Sequence, residues 1–272
     1  MEASTRASLA EARERLSAAT RGAAGPALVA LADELFAVAR LLDEQPTLRR
    51  ALSDPAGTPD ERAALARRVF GSRLSAAALD VTETVARQRW SRPLDLVDAA
   101  TTLATDASLD AAEARGELES VEDELFRFGR IVVGDRELGR VLGDRSAPAA
   151  GKAELLDRLL SGRVSPVTEQ LLRNVLTGRL EGSADVAIER LSDVASHRRG
   201  QSVARVTTAV PLTAAQERRL ADVLGRIYGR PVGLQVTVDP DVLGGLVIHM
   251  GDEVIDGSIA QRLEAARRRL AA

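Results

Sequence analysis

Apolar residues recur along the first part of the chain at three- and four-residue spacing, the mark of helices that bury one face. Leu28, Leu31, Leu35, Val38, Leu41 and Leu42 trace the clearest stripe. The segment SDPAGTPDER, with two prolines and a glycine, breaks it. A short helix follows in ERAALARRVFG, closed by glycine, and another in SAAALDVTETVARQR behind a capping Ser75. PLDLVDAATTLATDA predicts a further helix, and the polar stretch DASLDAAEARGELES reads as a helical connector. From Gln201 the period drops to two, and Val203, Arg205 and Thr207 alternate with Ala204, Val206 and Thr208 as in a strand.

The same pattern is then met again. DELFAVARLLDEQPTLRRALSD starts at Asp33 and DELFRFGRIVVGDRELGRVLGD at Asp123, ninety residues later, and the register needs no gap. Leu35 matches Leu125, Phe36 matches Phe126, Arg40 matches Arg130, Leu52 matches Leu142 and Asp54 matches Asp144. The matches continue through Ser75 and Ser165 to Asp95 and Asp185, which argues for duplication. Ser165 is again a helix cap, with Pro166 at the first helical position. The expected organisation is a helical bundle over 1–110, a second copy over 111–200 and a small α+β domain over 201–272. The fold class is therefore mainly α, with a short-stranded sheet and two helices at the carboxyl end.

In that last part, PLTAAQERRLADVLGRIYG predicts a helix opened by a Thr213–Gln216 capping box, with Leu220, Leu224, Ile227 and Tyr228 inward. Strands are expected at PVGLQVTVDP, Leu246–Met250 and Glu253–Ile255, the last two joined by a tight turn at Gly251-Asp252. Ser258 with Gln261 would cap a final amphipathic helix.

Composition narrows the chemistry. Only six of 272 residues are Phe, Tyr or Trp, so the core is built from Leu, Val and Ala, which suits helix packing. Without cysteine there is neither disulfide nor thiolate metal site, and the two histidines are far apart. The net charge of −3, with mixed signs, is no nucleic-acid footprint. No apolar run is long enough for a membrane span or a signal peptide, which leads to the expectation of a soluble protein on the cytosolic side.

The glycines of VLGGLVIHMGDEVIDGS fall in separate turns, with no lysine and no G-x-G-x-x-G, so they predict turns and not a phosphate cradle. His249, Asp252, Asp256 and Ser258 supply the letters of a triad. Alternation sends His249 and its neighbours to different faces, and no oxyanion-hole motif accompanies them. His197 reads as a solvated helix-end residue, ELESVEDELF as a solvated acidic face, and EAARRRL as a cationic helix end. No catalytic, cofactor or metal site is expected.

VDPDVLGGLVIHMGDEVIDGSIAQRLEAARRRL closely resembles the carboxyl-terminal signature of the delta subunit of bacterial F-type ATP synthase, the equivalent of mitochondrial OSCP. Gly244, Gly245, Gly251, Asp252, Asp256, Gly257 and Ser258 all match it, with Arg262 and Leu263 beyond them. The resemblance runs over roughly residues 117–272. Typical members carry one six-helix bundle, whereas this chain carries the repeat twice, and its first helix lacks the usual aromatic-containing form. The resemblance implies a non-catalytic connector of the peripheral stalk. Its helical part would grip the amino-terminal helix of an alpha subunit, and its carboxyl-terminal part would contact the carboxyl-terminal region of the b subunit. No nucleic acid would be bound, and the membrane would be met only through the complex, at its cytoplasmic face. The alternatives are a helical-repeat adaptor of another multiprotein complex and an enzyme using the α+β unit.

Overall fold

The computed structural model describes residues 3–180, 182–201, 203–228, 232–239, 244–250 and 253–256. Among them the chain is mainly helical, with a small four-stranded sheet near the carboxyl end. It divides into two compact units, Met1–Ser192 and Asp193–Ala272.

The first unit contains α1 (Ala3–Thr20), α2 (Gly25–Glu44), α3 (Pro46–Leu52), α4 (Pro59–Phe70), α5 (Ala76–Arg87) and α6 (Pro93–Ala114). It continues through α7 (Leu118–Gly134), α8 (Arg136–Gly143), α9 (Ala149–Leu160) and α10 (Pro166–Thr177) into α11 (Ala184–Gln201), which passes into the second unit at Asp193. The ninety-residue register read from the sequence reappears in the helix boundaries. Shifted by ninety, the limits of α4 and α5 coincide with those of α9 and α10, and α3 begins where α8 does. Local signals set these limits. Thr58 and Glu61 form a capping box on α4, while Ser75 and Ser165 accept from the Ala78 and Thr168 amides.

The apolar stripe of α2 is buried as expected at Leu28, Leu31, Leu35, Val38 and Leu42, and Leu41 is half-buried. It lies along α6. The connector expected at DASLDAAEARGELES is helical as far as Ala114, within α6, but much of it is buried. α6 runs unbroken to Ala114, and Ala107, Ser108, Leu109, Ala111 and Ala112 are buried. Small side chains let neighbouring helices approach closely here, so a segment that looks polar by letter is core by position. Ser108 donates to the Ala104 carbonyl and to Gln170 of α10.

The second unit contains β1 (Val203–Thr208), α12 (Ala214–Tyr228), β2 (Gly233–Val238), β3 (Leu246–Met250) and β4 (Glu253–Asp256). The sheet order is β2-β1-β3-β4. β1 and β2 are parallel and joined through α12, a βαβ crossover, while β3 and β4 add antiparallel. Ala204, Val206, Leu224, Ile248 and Met250 form the core, with Leu220, Tyr228, Leu234 and Val236 packed against it. The Thr213–Gln216 capping box is present. Ile227, expected inward, is 64% exposed. Leu220, Leu224 and Tyr228 already complete the face toward the sheet, and Ile227 sits one residue off it.

Candidate interaction site

Among the described residues, no three His, Asp or Glu side chains come together as a metal site. His249 is an exposed residue of β3, opposite Arg205 on one side and Val254 on the other. Of the signature residues, Gly244 and Gly245 lead into β3 with φ of 71° and 83°. That left-handed backbone favours glycine over any residue with a Cβ. Asp256 closes β4 opposite Val247. Gly251, Asp252, Gly257, Ser258 and the expected final helix lie outside the described residues.

What the helical unit offers is paired surfaces, and they are built twice. Glu34 of α2 accepts from the amide and hydroxyl of Ser75 at 3.1 and 2.6 Å. Glu124 of α7 accepts from the Ser165 amide at 3.0 Å and from the Thr168 hydroxyl at 2.5 Å. Each glutamate thus ties one helix to the cap of another, forty-one residues on in both copies. Arg62 is buried and donates from Nε to the Ala86 carbonyl at the end of α5. Lys152, ninety residues later and also buried, donates to the Leu176 carbonyl at the end of α10. A cation suits the negative end of a helix. Burial nonetheless pushes both groups below their ordinary range, more than nearby Asp54 and Asp144 pull them back; Arg89 adds to the push on Arg62.

One motif is used in reverse. α4 and α5 are joined by Arg67 and Glu83, at 2.7 Å, whereas α9 and α10 are joined by Asp157 and Arg173 at the same positions. The sequence match gave no sign of this, because a charge reversal scores as a mismatch. Identical letters would have found Glu34 and Glu124, and basic residues at one offset would have found Arg62 and Lys152.

The two copies also meet one another. Gln170 of α10 donates to the Val29 carbonyl and to the Asp33 carboxylate of α2, at 3.1 and 2.7 Å. Arg40 donates to Asn174. This is helix recognition by one stripe of α2, inside a single compact unit. The arrangement binds helices to one another.

Comparison with known proteins decides what such a scaffold belongs to. Residues 104–270 match the model of the ATP synthase delta (OSCP) subunit. The chain belongs to the ATP synthase delta (OSCP) subunit family. The ATP synthase subunit delta of Streptomyces coelicolor is 48% identical over 271 residues, which cover 100% of this chain and 98% of that one. The corresponding subunit of Rhodococcus opacus is 47% identical over 275 residues and that of Frankia alni 46% over 275, each covering 99% of both chains. The delta-family match begins inside α6, so this long helix serves both the first helical copy and the family-like part that follows. The full-length relatives carry the first copy as well.

Proposed function

We infer that the chain is a peripheral-stalk connector of an F-type ATP synthase, non-catalytic itself, which holds the catalytic head to the b-subunit stalk against rotor torque. Family membership over residues 104–270 carries this reading. It is supported by a helical unit in which Glu34, Glu124, Arg62, Lys152 and Gln170 bind helices to one another. No described helix is long and apolar enough to cross a membrane, which fits attachment through other subunits. The partners are the amino-terminal helix of an alpha subunit, taken by the helical copies, and the carboxyl-terminal region of b, taken by the second unit. The place of work is the cytoplasmic face of the cell membrane. The seam between copies falls near residues 110 and 111, within α6. Gly244, Gly245, Gly251, Asp252, Asp256, Gly257 and Ser258 act as turns and a helix start, with no ligand role.

The test is calorimetric titration of the full chain with a peptide of the host's own alpha-subunit amino terminus, alongside proton pumping by membranes depleted of the chain. One-to-one binding, with pumping lost on depletion and restored on adding the chain back, is expected. Normal coupling of hydrolysis to pumping in depleted membranes would overturn the connector role.

A further inference from the structure

Asp33, Phe36 and Arg40 lie at i, i+3 and i+7, on one stripe of α2. In the structure this stripe faces α10. Asp33 takes a hydrogen bond from Gln170, Arg40 gives one to Asn174, and Phe36 between them is 3% exposed. The same three residues recur ninety positions later on α7 as Asp123, Phe126 and Arg130. There all three are exposed, and Phe126 is 59% open to solvent. Val133, 63% exposed, continues the stripe where the first copy has the charged Asp43.

Exposure of one aromatic residue is ordinary at a protein surface. What distinguishes Phe126 is its setting. It sits in a residue pattern that this same molecule already uses, once, to seat a helix. The first copy also shows what fits: a helix with Gln and Asn at i and i+4, so that the amide reaches the acid and the Asn side chain meets the arginine. Asp123 is held by Arg127 one turn away on its own helix, an exposed pair of low worth that an arriving donor can displace.

We propose that the Asp123–Phe126–Arg130 stripe of α7 is a docking surface for one amphipathic helix of another subunit, bearing Gln and Asn one turn apart as α10 does. Phe126 is the apolar anchor, and the flanking acid and base set the register of the helix. The surface rests on the connector reading given above, and it adds a site on the second copy.

The experiment places photoreactive benzoylphenylalanine at Phe126 of the full chain in the assembled ATP synthase of its host, with the same label at Arg40 as a control. The Arg40 label captures α10 of its own chain. The Phe126 label is expected to capture a helical segment of another subunit with the Gln and Asn spacing. If the chain is held in the complex and the control labels, but position 126 captures nothing or only a second copy of the chain, this surface is wrong and the connector role stands. A chain that never co-purifies with the alpha and beta subunits would sink both. In parallel, Phe126→Asp, at an exposed position, should leave the thermal melt unchanged and weaken rebinding to stripped complex by about tenfold or more. Unchanged rebinding would overturn the proposal.

Discussion

Arg62 is 4% exposed and still carries a guanidinium, because each of its N–H directions finds a carbonyl. It donates to Ala86 and Arg87 at 2.8 and 2.7 Å, to Gly57 at 2.6 Å, and more weakly to Asp54 and Gln88. It therefore ties the end of α5 to the loop before α4. Lys152 occupies the equivalent place with one bond at 3.4 Å. Arg62→Leu should lower unfolding free energy by about 2–4 kcal/mol, since it strands several buried carbonyls. Lys152→Leu should change it by less than about 1 kcal/mol, because removing a poorly paired buried ammonium also removes its desolvation penalty. Urea unfolding of the two variants side by side checks the asymmetry; equal losses would mean that the bonds to Arg62 are worth little. Asp95 gives a second residue-scale expectation, this one dependent on pH. Burial pushes its carboxyl up, but hydrogen bonds from Thr5 and the Arg92 side chain, the Arg92 charge and the Arg92 amide together win, and the net direction is down. A depressed carboxyl contributes its stability in full above the unfolded value of about 3.9, and loses it as pH falls through the folded value. Asp95→Asn should therefore cost about 1–3 kcal/mol near neutrality and progressively less in acid. A gap that stays constant from pH 7 to pH 2 would remove the charge from the explanation.

The elements were legible wherever a local signal fixed them. Ser75, Ser165, Pro166 and the Thr213–Gln216 box set helix starts through bonds within one turn, so the letters alone sufficed. Alternation marked β1 as a strand for the same reason, while only the structure shows that Ala204, Val206 and Thr208 are its buried side. The far half of α6 was legible as helix but not as core, because alanine, serine and threonine read as neither core nor surface until a neighbour such as Gln170 is in place. Ile227 failed similarly: the helix was right, but the width of the face that the sheet could cover was not in the sequence. As for the interaction surface, Phe36 and Phe126 are the same letter in the same pattern, and only tertiary packing makes one core and the other surface. The entry into β3 is a place where the backbone itself was readable. Gly244 and Gly245 both hold positive φ, so Gly245→Ala should weaken the sheet unit by roughly 1–2 kcal/mol. Faster amide hydrogen exchange across β1 and β3, with α2 and α6 unchanged, is the expected observation. Unchanged exchange in the strands would show that the turn relaxes without strain.

A duplicated chain must also choose among its own copies. α4 resembles α9 and α5 resembles α10, so a folding chain could pair α4 with α10 or α9 with α5, within one molecule or between two. The reversed ion pairs oppose both errors. The native pairs set Arg67 against Glu83 and Asp157 against Arg173. The crossed pairings would set Arg67 against Arg173, and Asp157 against Glu83, in places where the Glu83 side chain is only 6% exposed. Like charges at an interface act against the wrong partner even when the correct pair adds little to stability. The variant Arg67→Asp with Glu83→Arg separates the two effects, because it keeps an ion pair in the first copy and gives both copies the same polarity. Its native state should stay within about 1–3 kcal/mol of the parent, the cost of fitting an arginine where the Glu83 side chain is nearly buried. The new arginine sits one turn from Arg87, which costs a few tenths of a kcal/mol on a helix, about 0.2–0.5. Refolding from urea should nevertheless become slower, with a larger concentration-dependent fraction eluting as dimer, because the crossed pairings are no longer penalised. If the double variant refolds at the parent rate as a monomer over the same concentrations, the reversal is incidental. If it refolds poorly, and reversing Asp157 and Arg173 in addition restores the parent behaviour, then opposite polarity in the two copies is what keeps each pair of helices with its own partner.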